Sequence, residues 1–162
     1  DFLHPTLTTT TTTTLTPMAE LPLQEKERIR RKWHSLAADD DDVENRRFQV
    51  FVACRLHARC QEPVVRKCMM ALRKLNVLRP QKMAELDPDV LASSLTSLQF
   101  YNNKAKHLVE SSRQLLDKFD GQVPEGKADL MKLKGVGPVM ADLMATINTR
   151  KSFREEGTIV GV

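Results

Sequence analysis

Between residues 45 and 147 apolar side chains recur at helical spacing, and no segment alternates apolar with polar residues as a half-buried strand would. That periodicity restricts the chain to an all-α fold. The stretch "RRFQVFVACRLHARC" places Phe48, Val52 and Leu56 on one stripe, with Phe51 alongside. Pro63 opens "PVVRKCMMALRKLN" at a first helical turn, where its missing N–H would have had no intrahelical partner. "LDPDVLASSL" reads as a short helix after a proline-containing start. "NNKAKHLVESSRQLLDKFDG" reads as a longer one, carrying Ala105, Leu108, Leu115, Leu116 and Phe119 and stopped by Gly121. Two shorter helices, "EGKADLMKL" and "PVMADLMATI", are joined by "KGVG". The methionines and leucines on these stripes are core residues and mark no cofactor pocket.

The 162 residues divide into three parts. Residues 1–19 form a threonine-rich, low-complexity arm with little apolar surface to bury, expected to be disordered alone or ordered only along a large partner. It lacks the Arg-rich amphipathic pattern of a mitochondrial presequence. Residues 20–44 hold a basic helix and an acidic linker. In "ELPLQEKERIRRKWHSLA" the apolar positions are Leu23, Ile29, Trp33 and Leu36, and Arg28, Arg30, Arg31 and Lys32 make a basic face, read as solvated before it is read as a phosphate strip. "DDDD" at 39–42 is a linker whose acids suit the start of the next helix. Residues 45–162 are the main helical domain. Asp1 at the start and "GTIVGV" at the end read as the edges of a longer sequence.

Charge and cysteine usage bound the function. A net charge of +4 and a pI near 9.1 suit a nucleic-acid partner without requiring one. No apolar run approaches the roughly 18–20 residues that cross a bilayer, so no membrane partner is expected. Cys54, Cys60 and Cys68 lack C-x-x-C spacing and assemble no four-ligand zinc site; Cys54 and Cys68 read as small core residues. His4, His34, His57 and His107 are scattered, ordinary histidines.

The chemistry concentrates in "LKGVGP", residues 133–138. Gly135 and Gly137 permit positive φ and a close backbone approach. Pro138 favours the first turn of the following helix. The free N–H groups at that helix start, with the positive end of the helix dipole, suit a phosphate oxygen, and Lys134 adds a charge. Two glycines also serve an ordinary αα-turn.

The surroundings extend the pattern. "RRFQVFVACRLHARCQEPVVRKCMMAL" and then "LQFYNNKAKHLVESSRQLLDKFDGQVPEGKADLMKLKGVGPVMADL" resemble the endonuclease III family of the helix-hairpin-helix DNA glycosylase/AP lyase superfamily, in its eukaryotic form. Tyr101, Asn102, Lys104 and Ala105, then Val123–Glu125, then the hairpin agree in order and spacing over about residues 45–162. The resemblance implies a helix-hairpin-helix at about 126–149 and two helical lobes with DNA in the cleft. It also implies removal of an oxidised pyrimidine flipped from the stack. In bifunctional members a lysine amine attacks the sugar C1′ and forms a Schiff base, an aspartate beyond the hairpin helix supports charge, and four cysteines hold an iron–sulfur cluster.

This chain departs from that pattern at defined positions. The lyase lysine falls on Val139, whose isopropyl group has no lone pair with which to attack C1′. Lys134 stands five residues away across the hairpin. The catalytic aspartate would follow Val162, and the cluster cysteines are not in the sequence, so no cofactor is expected in this chain. The glutamine that fills the flipped-out gap falls on Arg59, either a phosphate contact or a surface arginine, and the apolar wedge falls on Phe100. Without the family's C-terminal helices the second lobe is incomplete. Trp33 and the apolar face of "PVMADLMATI" are then expected to be partly uncovered and to need other proteins over them.

Lys134, Gly135, Val136, Gly137, Arg59, Phe100 and Lys104 are therefore the candidate nucleic-acid contacts. The reading that follows is a protein that binds a DNA or RNA backbone, catalytically inactive, as a structural component of a nucleoprotein assembly such as an organellar ribosome. The alternative is a fragment of a base-excision-repair glycosylase that is monofunctional because of Val139. The sequence names no compartment.

Overall fold

A computed structural model of the chain describes residues 17–38, 40 and 42–154, which are helical with no strand among them. The threonine arm at 1–16 and the terminal "GTIVGV" with Val162 lie outside the described residues. A 3-10 turn at Met18–Glu20 precedes α1 (Leu23–His34), α2 (Val43–His57), α3 (Glu62–Lys74) and α4 (Pro80–Met83). Then follow α5 (Pro88–Ser93), α6 (Tyr101–Lys118), α7 (Lys127–Leu130) and α8 (Pro138–Ile147), with a last helical turn at 150–154.

Local chemistry sets these limits. Asp42 starts α2 by accepting from the amides of Glu44 (3.0 Å) and Asn45 (3.4 Å), and Asp87 starts α5 by accepting from Asp89 (2.9 Å). Proline occupies the first turn of α3, α4, α5 and α8. At the end of α6 the amide of Gly121 returns to the Leu115 carbonyl (2.8 Å), with Asp120 and Gly121 at φ +58 and +75. The helix expected over 20–37 runs only from Leu23, because Pro22 and the 3-10 turn precede it. The short α4 was not marked by periodicity, since four residues hold too little of it.

The core forms where α6 packs on α2, α4 and α5. Phe48, Phe51, Leu56, Leu72, Met83, Leu95, Leu108 and Leu115 are buried there. Helix α2 is buried without a break from Arg47 to Cys54, and again at Leu56, because it is enclosed between α1, α3 and α6.

The apolar face expected to lie partly uncovered is largely covered by the chain itself, with Val139, Met140 and Leu143 left on a cleft. Helix α1 lies against α8, Trp33 is 8% exposed, and Ala141, Met144 and Ile147 are buried. Phe153 stacks on His34 at 3.9 Å between ring centroids, His34 Nε2 donates to the Ile147 carbonyl (2.7 Å), and the Met18 amide donates to Asp142 (2.9 Å). Arg30, expected on the basic face, is buried, donating to the Ser152 carbonyl (3.1 Å) and pairing with Glu27. The 150–154 turn supplies part of this cover. No described helix is long and apolar enough to cross a membrane.

One buried charge locks the two ends of the domain together. Arg47 is fully buried; its Nε donates to the Asn148 carbonyl (2.7 Å) and its Nη1 to Glu44 (2.8 Å). Asn148 Nδ2 donates back to the Arg47 carbonyl (3.0 Å). Arg150 adds its Nε to Glu44 (2.5 Å) and its amide to Glu125 (2.7 Å) at the surface. Replacing Arg47 by Met strands these buried partners and should lower unfolding free energy by roughly 3 kcal/mol, read from urea denaturation. Trimming the partly exposed Arg150 side chain to Ala should cost under about 1 kcal/mol.

Candidate nucleic-acid interface

Helices α7 and α8 meet at the glycine turn, anchored by the buried Leu130, Leu133 and Val136. Gln114 of α6 fixes the turn from below: its Oε1 accepts from the Lys134 amide (2.7 Å) and its Nε2 donates to the Lys132 carbonyl (2.9 Å). The Val136 amide is used internally, donating to the Leu133 carbonyl (3.1 Å). By contrast, the amides of Gly135, Gly137, Val139 and Met140 find no acceptor among the described residues. Unpaired amides at a helix start form an anion seat.

The two glycines do different work. Gly135 has φ +81, and a Cβ there would lie 2.7 Å from His107 Nδ1. Gly137, expected to exploit positive φ as well, is extended at φ −95 and ψ −179. A Cβ on Gly137 would meet nothing within 4 Å. The fold does not need glycine at 137, and the space beside it is open.

Beside the turn opens a cleft of about 550 Å³, lined in part by Trp33, His57, Arg59, Val139 and Leu143. Val139 stands on its rim, 79% exposed. Trp33 and His57 meet at 4.9 Å between ring centroids. Burial, and then the charge of Lys32, hold the His57 imidazole below its ordinary value. Farther along, the Arg59 guanidinium sits 5.8 Å from the Phe100 ring centroid, and Phe100 is 58% exposed. Both residues are left-handed, at φ +61 and +57, a costly conformation for side chains with a Cβ.

Among the sequence-predicted contacts, Lys134, Gly135 and Gly137 come together on the exposed turn, and Arg59 and Phe100 form a second exposed pair. Val136 points its side chain into the core. Lys104 is 2% exposed; its ammonium donates to the carbonyls of Leu56 (2.9 Å) and Ala58 (2.6 Å) and lies 3.2 Å from Cys60 Sγ. Those bonds hold the end of α2 and the strip carrying Arg59, so Lys104 positions that strip from inside. Its place next to Ala105 on the apolar stripe of α6 was the available signal. Sequence reasoning missed Trp33 and His57 as cleft walls, because residues on α1 and α2 meet only through tertiary packing.

The cysteines do not fit a cluster of four thiolates. Cys54 and Cys68 are buried on separate helices, none of the three pairs with another, and burial drives the Cys54 thiol well above its ordinary range. The described residues bring no three His, Cys, Asp or Glu side chains into a metal-holding group.

These features define a helix-hairpin-helix repair fold: residues 52–159 match the HhH-GPD superfamily base excision DNA repair protein family, and the chain belongs to that family. Within it the chain is an endonuclease III-like member. It is 31% identical over 121 residues to the endonuclease III homolog of Schizosaccharomyces pombe, covering 74% of this chain and 34% of the relative. It is 27% identical over 110 residues to endonuclease III of Bacillus subtilis, covering 68% and 50%. The chain thus spans half or less of these relatives. A solved non-covalent endonuclease III–DNA complex shares the fold with a TM-score of 0.58 at 23% identity, over 81% of this chain and 67% of that one.

The glycines separate stability from access. Gly135→Ala should lose about 1–2 kcal/mol from its left-handed backbone, while Gly137→Ala should stay within about 0.5 kcal/mol of the parent. Thermal or urea unfolding of the two variants measures the difference.

Proposed function

We propose that this chain grips the sugar-phosphate backbone of duplex DNA through its glycine turn and performs no Schiff-base chemistry, serving as a binding component of a nucleoprotein assembly. The observation that carries the reading is Val139, exposed on the cleft rim beside unpaired hairpin amides, at the position where the family resemblance implies a lysine. The amides of Gly135, Gly137, Val139 and Met140 supply donors, Lys134 supplies charge, and Gly137 lets the strand approach. Such contacts fix position without reading sequence. The Arg59–Phe100 pair stands ready at the same face to meet bases or phosphate. Lys104 acts by holding that strip, and Val136 by anchoring the turn.

A second reading, a glycosylase that breaks the N-glycosidic bond without the lyase step, is favoured by one observation. A cleft of about 550 Å³ walled by Trp33, His57 and Leu143 has room for an extruded base. Breaking that bond still calls for a general acid or base group near the sugar.

Fluorescence anisotropy with a labelled duplex tests the binding reading. The chain should bind, Lys134→Ala should reduce the salt slope by about 0.9, and Gly137→Val should weaken binding more than roughly tenfold by blocking approach. Binding untouched by both substitutions would place the contact elsewhere. Incubation with a thymine glycol duplex separates the readings: binding without base release supports the first, and released base supports the second.

A further inference from the structure

Arg55 of α2 and His107 of α6 meet directly beneath the hairpin, and the packing gives the Arg55 charge no carboxylate partner among the described residues. Arg55 Nη2 lies 2.5 Å from His107 Nδ1. A guanidinium has donors only, so Nδ1 presents its lone pair and the imidazole is neutral, with its proton on Nε2. Arg55 Nε is buried without a hydrogen-bond partner, and no carboxylate among the described residues pairs with this half-buried cation. A cation drawn from water and faced only by a neutral ring is a costly arrangement that an anion would complete. The place for that anion is adjacent. Gly135 rests on the pair, its Cβ direction meeting His107 Nδ1 at 2.7 Å and Arg55 Cζ at 3.0 Å, and Arg55 lines the same cleft as Gly135 and Gly137.

We propose that Arg55 and His107 form, with the Gly135 turn and Lys134, a proton-linked seat for a phosphate group: on binding, Arg55 turns from His107 to the anion and His107 takes a proton from solvent. The choice of a nucleic-acid phosphate as ligand rests on the binding reading above.

The groups facing His107 are Arg55 from α2, Lys134 from the hairpin, and Lys106 and Glu110 from its own helix. Burial, then Arg55, with Lys134 and Lys106 in support, disfavour the imidazolium; Glu110 alone favours it. His107 in the free chain therefore titrates below the ordinary 6.5. A phosphate among these cations reverses the balance and raises that value. The sign follows from linkage: affinity is constant above the bound-state pKa, rises as pH falls through it, and levels off below the free-state pKa.

Two measurements on the full chain test the seat. Anisotropy with a labelled duplex from about pH 8 to about 5.5 at fixed ionic strength should show affinity rising roughly three- to tenfold. His107→Gln should flatten that rise, and Arg55→Gln should weaken binding throughout and lower the salt slope by about 0.9. Parallel pH curves for the parent and His107→Gln overturn the proposal. NMR titration of the His107 ring, in sodium sulfate against sodium chloride at matched ionic strength, needs neither variant nor duplex. An upward shift of its pKa in sulfate supports the seat even if no duplex binds, in which case the binding reading alone falls. An unshifted His107 in sulfate overturns the seat even if duplex does bind.

Discussion

Four backbone amides at one bend, those of Gly135, Gly137, Val139 and Met140, have no acceptor among the described residues, and the surrounding structure keeps them so. A chain that leaves donors unpaired at a helix start forgoes capping free energy of about 1 kcal/mol for each lost cap. Gly137 cannot cap α8, having no side chain, and Pro138 removes one further donor. What remains is a group of unpaired N–H donors beside Lys134, at a helix start whose dipole favours an anion.

The scaffold reads as support for that bend. Gln114 holds the turn through both its amide atoms, Leu133 and Val136 root it in the core, and Gly135 lies against Arg55 and His107. At the other end of α8, the reciprocal bonds between Arg47 and Asn148 fix the helix relative to α2. Helix α1 packs against α8 and, through Trp33, walls one side of the cleft. On the rim of that cleft the chain places an isopropyl group, from Val139. On the proposed reading, binding is separated from covalent chemistry at this rim.

How much of this was legible beforehand follows the range of the interactions involved. Helix identity, the prolines in first turns, the Asp42 and Asp87 caps and the glycine turn are local, and the sequence displays them within a few residues. The left-handed Gly135 was readable, but the extended Gly137 was not, because both look alike until the direction of each Cβ is known. Lys104 reads as a surface cation until α2 places the Leu56 and Ala58 carbonyls above it. Arg55 and His107 are 52 residues apart, and Arg30 and Ser152 are 122 apart. No local pattern announces such pairs. The same distance effect hides the burial of Trp33, which the sequence leads one to expect partly uncovered.

The most direct measurement is amide hydrogen exchange at single-residue resolution, by NMR, on the full chain with and without saturating duplex DNA. Slowed exchange and shifted resonances at Gly135, Gly137 and Val139, beyond any change at the already paired Val136 amide, are the expected result. A bound duplex that leaves those amides exchanging as in the free chain would contradict the account at its root.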